Sequence, residues 1–332
     1  MGHCNDCSQL SECRRKARNI SARAEITRLF ALHRMSQMDE RQAYHDRRLQ
    51  AQLNSHLYFS SIIDGMQQSH SMLPWFGNCK SPGAHLHQHL QGAMVHGDNV
   101  TVYRTVGHIS GGANLAIHTW LLTLEQYHFR HGLPPVIYHQ IDGGSENMNK
   151  EFLAICALLV ASGLVRKVVL SRLPVGHTHE DIDALFALIW KLLRNEHIYA
   201  PSELTKLICV ALKKKVNVNV VDVFCLPDYQ LLLKGCIDES VARFAKEEWA
   251  QLQLTFEATE VCFDFPTGVK VTYRAYAQDS FVKIVEDDKK ESASGLMPQE
   301  CLVKTRPLPG EPKLGVFGDM RPAGRLGAGS QG

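Results

Sequence analysis

HLYFSSIID, residues 56–64, is a short apolar and β-branched run that ends in an acid. It reads as a strand. Downstream, HLHQHLQGAMVHG (85–97) and NVTVYRTVG (99–107) read as two further strands, with Gly97-Asp98-Asn99 as the turn between them. GGANLAIHTWLLTLEQYHFRHG (111–132) has helical spacing and closes on Gly132. PPVIYHQID (134–142) is a fourth strand, again ending in an acid. SENMNKEFLAICALLVASGL (145–164) is an amphipathic helix closed by Gly163, VRKVVLSRL (165–173) a fifth strand, and GHTHEDIDALFALIW (176–190) opens a third helix.

The order is strand, strand, strand, helix, strand, helix, strand, helix. Three consecutive strands predict an antiparallel meander, and the alternation after them predicts parallel strands with crossover helices. The fold class is therefore mixed α/β, a ribonuclease-H-like mixed sheet flanked by helices. A plain doubly wound fold would alternate from its first strand.

Five regions follow. Residues 1–50 form a helical basic arm, with 10 Lys and Arg against 6 Asp and Glu. Residues 51–200 carry the ribonuclease-H-like part, and 201–255 look helical, with a basic run at Lys213, Lys214 and Lys215. Residues 256–306 hold short strands that suit a small β-rich domain of the SH3 kind. Residues 307–332, rich in Gly and Pro, read as a disordered tail.

Composition bounds the function. The 332 residues are 45% apolar and 21% charged, ordinary for a globular protein. Net charge is +2, so contact with nucleic acid has to come from local basic patches. No stretch reaches the roughly 18 uninterrupted apolar residues of a membrane helix. The first residues lack the apolar core of a secretory signal. Ten scattered cysteines point to a reducing, intracellular setting, nuclear or cytoplasmic. RRKAR at 14–18 suits a nuclear signal or a solvated helix face.

Three acids fall where such a sheet would gather them. Asp64 ends the first strand, Asp142 ends the fourth, 78 positions later, and Glu180 and Asp183 open the helix 38 and 41 positions beyond that. Carboxylates in a cluster bind hard cations such as Mg²⁺ or Mn²⁺. Two such ions about 3.5–4 Å apart clamp the attacking and leaving oxygens of a phosphoryl transfer. Each acid also has a structural reading: a turn start at Asp64, a loop or cap before Gly143-Gly144 at Asp142, a surface ion pair at Asp183.

This pattern resembles the DDE transposase and integrase superfamily. More closely, IIDGMQQSHSMLPW, DGGSENMNK and LPVGHTHEDIDALF resemble three blocks of a transposon-associated eukaryotic family, over roughly residues 56–200. The resemblance implies a metal-dependent polynucleotidyl transferase or nuclease that acts on DNA, with Asp64, Asp142 and Asp183 or Glu180 as Mg²⁺ ligands. A homo-oligomer is compatible with it.

Helical geometry orders the third-acid candidates. Thr178 and Asp181 fit a capping box, and acids in a first turn are explained by orphan amides and the helix dipole. The stripe Ile182, Leu185, Phe186, Ile189 and Leu193 faces the core. Asp183 lies roughly 80° from its centre and Glu180 roughly 140°. Asp183 is therefore the first choice and Glu180 the second. His177 or His179 would orient a carboxylate or contact a phosphate. Glu146 and Asn147, at the start of the helix after Asp142, would cap it or present its amides to a phosphate.

Cys4-x2-Cys7 is half of a zinc site, with Cys13, His33 and His45 as candidates for the rest. The family resemblance also implies a small zinc-bound element there. Two other functions remain open. One is a metallohydrolase using His177-x-His179-x-Asp181. The other is a domesticated, catalytically inactive transposase that keeps the fold as a nucleic-acid-binding module.

Overall fold

A computed structural model describes residues 4–77, 83–105, 107–141, 146–172, 181–213 and 217–236, and the shorter pieces 253–258, 261–262, 265–266, 269–274, 282–283 and 302–303. In chain order the elements are α1 (Asn5–Lys16), α2 (Ile20–Leu53), β1 (Tyr58–Gly65), β2 (Trp75–Phe76), β3 (Leu90–Val95), β4 (Val100–Thr105), α3 (Ala113–His131), β5 (Val136–Ile141), α4 (Lys150–Ala161) and β6 (Lys167–Arg172). They continue with α5 (Asp181–Leu193), β7 (His197–Ile198), α6 (Pro201–Leu212), β8 (Val218–Val223), α7 (Tyr229–Leu232), β9 (Gln253–Ala258), β10 (Val261–Cys262), β11 (Phe265–Pro266), β12 (Val269–Arg274), β13 (Val282–Lys283) and β14 (Leu302–Val303).

Most strands join one mixed sheet of order β13-β12-β9-β6-β5-β1-β3-β4-β8. β1, β3 and β4 form the expected antiparallel meander. The turn between β3 and β4 places Gly97 at a φ of 88°, a left-handed conformation that favours glycine. β5 then pairs parallel to β1, and β6 parallel to β5. The intervening α3 and α4 supply the crossovers that parallel pairing requires.

Strand alternation sorts the core into two layers. Phe59, Ile63, Ile137 and Ile141 face Trp120 and Leu124 of α3 and Phe152 of α4. Leu90, Val100 and Val102 face Leu185, Ile189 and Leu193 of α5, and Leu204, Ile208 and Leu212 of α6. Fully burying a Leu or Ile side chain favours the docked state by about 2 kcal/mol. The four buried residues of α5 therefore hold it to the sheet more firmly than its polar contacts can.

Two regions differ from expectation. Within 201–255, residues 218–223 form a strand rather than helix, pairing parallel with β4 at the sheet edge. The β-branched run VNVVDV favours that state. A two-pronged ion pair adds to it: Arg104 Nε lies 2.8 Å from Asp222 Oδ1 and Arg104 NH2 2.7 Å from Asp222 Oδ2. The described strands after residue 252 do not close into a barrel of their own. β9 pairs antiparallel with β6, and β12 with β9. Leu254, Phe256, Val269 and Val271 enter the main core. β6 would otherwise be an edge, and an apolar strand edge invites pairing. The tail from residue 307 lies outside the described residues.

The arm is divided. The first half of α2 has no buried residue, whereas the second half buries Gln37, Glu40, Tyr44 and Ala51, and Tyr44 bonds to His96 and Asp181 of the domain. No described helix is long and apolar enough to cross a membrane.

Two histidines are buried in the fold. His139 forms a cluster of three stacked rings with Trp120 and Phe152, with its Nδ1 2.8 Å from Ser61 Oγ. Burial lowers the His139 pKa from 6.5 to about 3. Burial likewise lowers His96 from 6.5 to about 4, against a partial pull upward from Asp181. Both rings stay neutral in the folded protein, while the unfolded chain takes up their protons near pH 6.5. This stabilisation is complete above that pH and is lost as pH falls toward the folded values. Denaturant titrations between pH 7 and pH 5 should lose stability by about 1 kcal/mol per pH unit for each histidine. A His139→Asn variant should show a slope shallower by one proton; an unchanged slope would contradict the burial argument.

Candidate metal site at the end of the first strand

Asp64 is the last acid of β1 and pairs with Gly92 of β3. Its Oδ1 accepts a hydrogen bond of 2.8 Å from the Gly65 amide. By strand alternation Asp64 shares a face with Ser60 and Ile62, the face that α5 crosses. The crossing is close. A Cβ on Gly92 would lie 3.0 Å from Phe186 Cζ and 3.1 Å from Ile182 Cδ1. Glycine in a strand interior here marks a close approach of helix to sheet.

That approach brings α5 over the end of β1. Asp64 and Asp183, 119 positions apart in sequence, line one open cavity of about 280 Å³ with Gln67, His70, Phe186 and Trp190. Both carboxylates are half-buried. The His70 ring stacks on Trp190 at 3.7 Å, and burial lowers its pKa. A half-buried pair of carboxylates beside a neutral imidazole suits a hydrated hard cation. His70 and Gly92 were not singled out in the sequence. An isolated glycine inside a strand pattern was the available sign for Gly92.

Asp142, Glu180, His177 and His179 lie outside the described residues. Asp142 follows Ile141, the last residue of β5, directly in sequence. β5 pairs with β1 at an offset of 78 positions, Ile62 opposite Gln140, and Asp142 lies 78 positions after Asp64.

Asp181 has a different environment. Its Oδ2 accepts from Arg48 NH1 at 2.5 Å and from the Tyr44 hydroxyl at 3.3 Å. The Tyr44 oxygen lies 2.9 Å from His96 Nε2, and His96 Nδ1 lies 2.8 Å from Ser60 Oγ. With His96 neutral, one proton order satisfies every link. Ser60 donates to Nδ1, Nε2–H donates to Tyr44, and Tyr44 donates to Asp181. The chain ends on a carboxylate held by a guanidinium, so Asp181 pins the first turn of α5 to α2. The acid that would complete His177-x-His179-x-Asp181 already serves as this anchor. A second cavity of about 650 Å³ lies beside the anchor, lined by Arg48, Gln52, His96, Asp98 and Asn99 among others. Arg47 Nη1 donates to Ser171 Oγ at 2.8 Å, and Arg47 Cζ lies 5.8 Å from the Tyr138 ring centre.

Glu146 and Asn147 do not open α4. The helix begins at Lys150, and Asn149 is its N-cap, its Oδ1 accepting from the Phe152 amide at 2.8 Å. Met148 before the cap and Leu153 within the helix are both buried in the core, a hydrophobic staple that fixes this start. Glu146 is exposed and Asn147 buried, both ahead of the helix.

At the other end of the chain, ligand atoms of Cys4, Cys7 and His33 all lie within 4.8 Å of one another, the one such group of three among the described residues. Cys13 is exposed and stands apart from it, and burial pushes the Cys4 thiol up.

A family model described as a domain of unknown function, DUF7869, matches residues 79–262, just over half of the chain. No curated protein and no solved structure matches.

Two experiments probe the placement of α5. Gly92→Val should push Phe186 and Ile182 outward and destabilise the fold by about 1–3 kcal/mol. A double-mutant cycle on Arg48 and Asp181, each about one-third exposed, should give a coupling of about 0.2–1 kcal/mol. Zero coupling would mean that the pair does not hold α5.

Proposed function

The chain belongs to the DUF7869 family, and we propose that it is a DDE-type nuclease or recombinase that carries out two-metal phosphoryl transfer on DNA. The observation that carries this reading is the shared cavity of Asp64 and Asp183 at the end of β1. The strand order β4-β3-β1-β5-β6 supports a ribonuclease-H-like core, with a three-strand meander on one side of β1 and parallel additions on the other. Asp142, the residue directly after β5 in sequence, is taken in this reading as a further ligand beside Asp64.

The donor set fits the ions. It consists of carboxylate oxygens on an open cavity, which prefer Mg²⁺ or Mn²⁺ to softer metals. Such ions stabilise charge on the attacking and leaving oxygens of the phosphodiester. The chain's own part is positional. β1 and α5 fix two of the carboxylates on rigid elements, with Asp142 assigned as the third ligand and Glu180 as the alternative to Asp183. The Arg48–Asp181 anchor sets where α5 begins. Trp190 and Phe186 wall the cavity, and His70 presents a neutral ring at its edge. His177 and His179, just before α5, would contact phosphate or orient a carboxylate. Arg14, Arg15, Lys16 and Arg18 on the arm, with Lys213 and its basic neighbours, would meet the DNA backbone. Such contacts weaken with salt. Action on DNA would place the protein in the nucleus.

Purified protein should cleave or join DNA with Mg²⁺ or Mn²⁺ and stop when the metal is chelated. Asp64→Asn, Asp142→Ala and Asp183→Asn should each lower the rate by a factor on the order of 1,000 or more, several kcal/mol of lost transition-state stabilisation. Activity that survives Asp64→Asn or Asp142→Ala would overturn the reading. Salt-dependent DNA binding with no cleavage under any divalent ion would instead identify a binding module.

A further inference from the structure

α1 is a helix with no reason of its own to stay where it is. It buries no residue, and its surface is polar, with Glu12 paired to Arg15 and Lys16 along its own face. Such exposed pairs contribute little. Yet α1 lies against α2, and at the contact stand Cys4, Cys7 and His33.

Cys4 is the N-cap of α1, where its sulfur accepts from the Cys7 amide at 3.4 Å. Cys7 is one turn further on. His33 comes from α2, and its Nε2 lies 3.3 Å from Cys4 Sγ. The opposite ring nitrogen, Nδ1, faces Asp6 Oδ2 at 4.0 Å. Gln37 reaches into the cluster, its Nε2 3.8 Å from Cys7 Sγ and in contact with His33 Nε2.

Two sulfurs and one imidazole are the donor set of a zinc site, not of the hard cations assigned to Asp64 and Asp183. Ligand atoms around tetrahedral zinc stand about 3.3–3.8 Å apart, given bonds of about 2.0–2.3 Å. The three atoms here, within 4.8 Å of one another, need a small inward movement and withdrawal of the Gln37 amide from His33 Nε2.

We propose that Cys4, Cys7 and His33 form a structural zinc site that clips α1 onto α2. The fourth position falls to water or a further donor. Cys13 takes no part. The site orders the basic end of the arm and is independent of the acids at the sheet.

The test uses the full chain. Protein purified with zinc present should carry one zinc per chain by elemental analysis. Replacement by Co²⁺ should give a sulfur-to-cobalt charge-transfer band in the near ultraviolet and the strong visible bands of a tetrahedral site. Cys4→Ser with Cys7→Ser should abolish both, and His33→Ala should weaken cobalt binding by more than about tenfold. Cys13→Ser should leave both unchanged. Hydrogen exchange guards against a folding artefact. Removing the metal should speed exchange in residues 5–16 and leave the sheet amides as they were. Metal-replete protein with well under one zinc per chain, or a Cys4–Cys7 disulfide in its place, would overturn the proposal. So would zinc that survives loss of both cysteines, or is lost with Cys13→Ser.

Discussion

The close seating of α5 on the sheet at Gly92 governs the candidate site. A helix normally stands off a sheet by the depth of the side chains between them. Gly92 removes one of those side chains beside Asp64, and Phe186 and Ile182 settle into the space. Burial of Ile182, Leu185, Ile189 and Leu193 then holds the helix there. The rotation that buries this stripe leaves Asp183 on the cavity that Asp64 also lines. The acidic pair is thus a product of apolar packing, and each carboxylate sits on a rigid element, as a metal site requires.

The polar contacts at the start of α5 refine that placement. Asp181 is bound by Arg48 and, through Tyr44, His96 and Ser60, is tied to β1 itself. Two acids one residue apart therefore have separate roles: Asp181 faces α2 and Asp183 faces the cavity. α2 links the two ends of the molecule as well. Its second half packs on the sheet beside the acids, and its first half carries His33 opposite the cysteines of α1. Oxygen donors gather at the sheet and sulfur and imidazole donors at the arm, so the two places would attract different metals.

Much of the architecture could be read from periodicity. The meander of β1, β3 and β4 and the alternation of β5, α4 and β6 were visible because apolar alternation and helical spacing are local signals. The buried stripe of α5 was visible for the same reason: helical spacing is a property of one helix. What was not visible depended on distant partners. β8 sits in a stretch with helical neighbours and becomes a strand because β4 offers an edge and Arg104 a counter-ion for Asp222. β9 and β12 read as a small separate barrel, yet they extend the sheet from β6. Asp181 read as a capping residue because Arg48, 133 positions away, leaves no trace nearby in sequence. Glu146 and Asn147 were placed in a helix that starts only at Lys150, because Asn149 is the better cap.

The central claim is that Asp64 and Asp183 hold a divalent cation together. Crystals of the full chain soaked in Mn²⁺ test it most directly, through the anomalous signal of the metal. A peak is expected within bonding distance, about 2.0–2.3 Å, of a carboxylate oxygen of each residue. A site bridged to only one of them would contradict it. So would no peak in the cavity while manganese binds elsewhere on the chain.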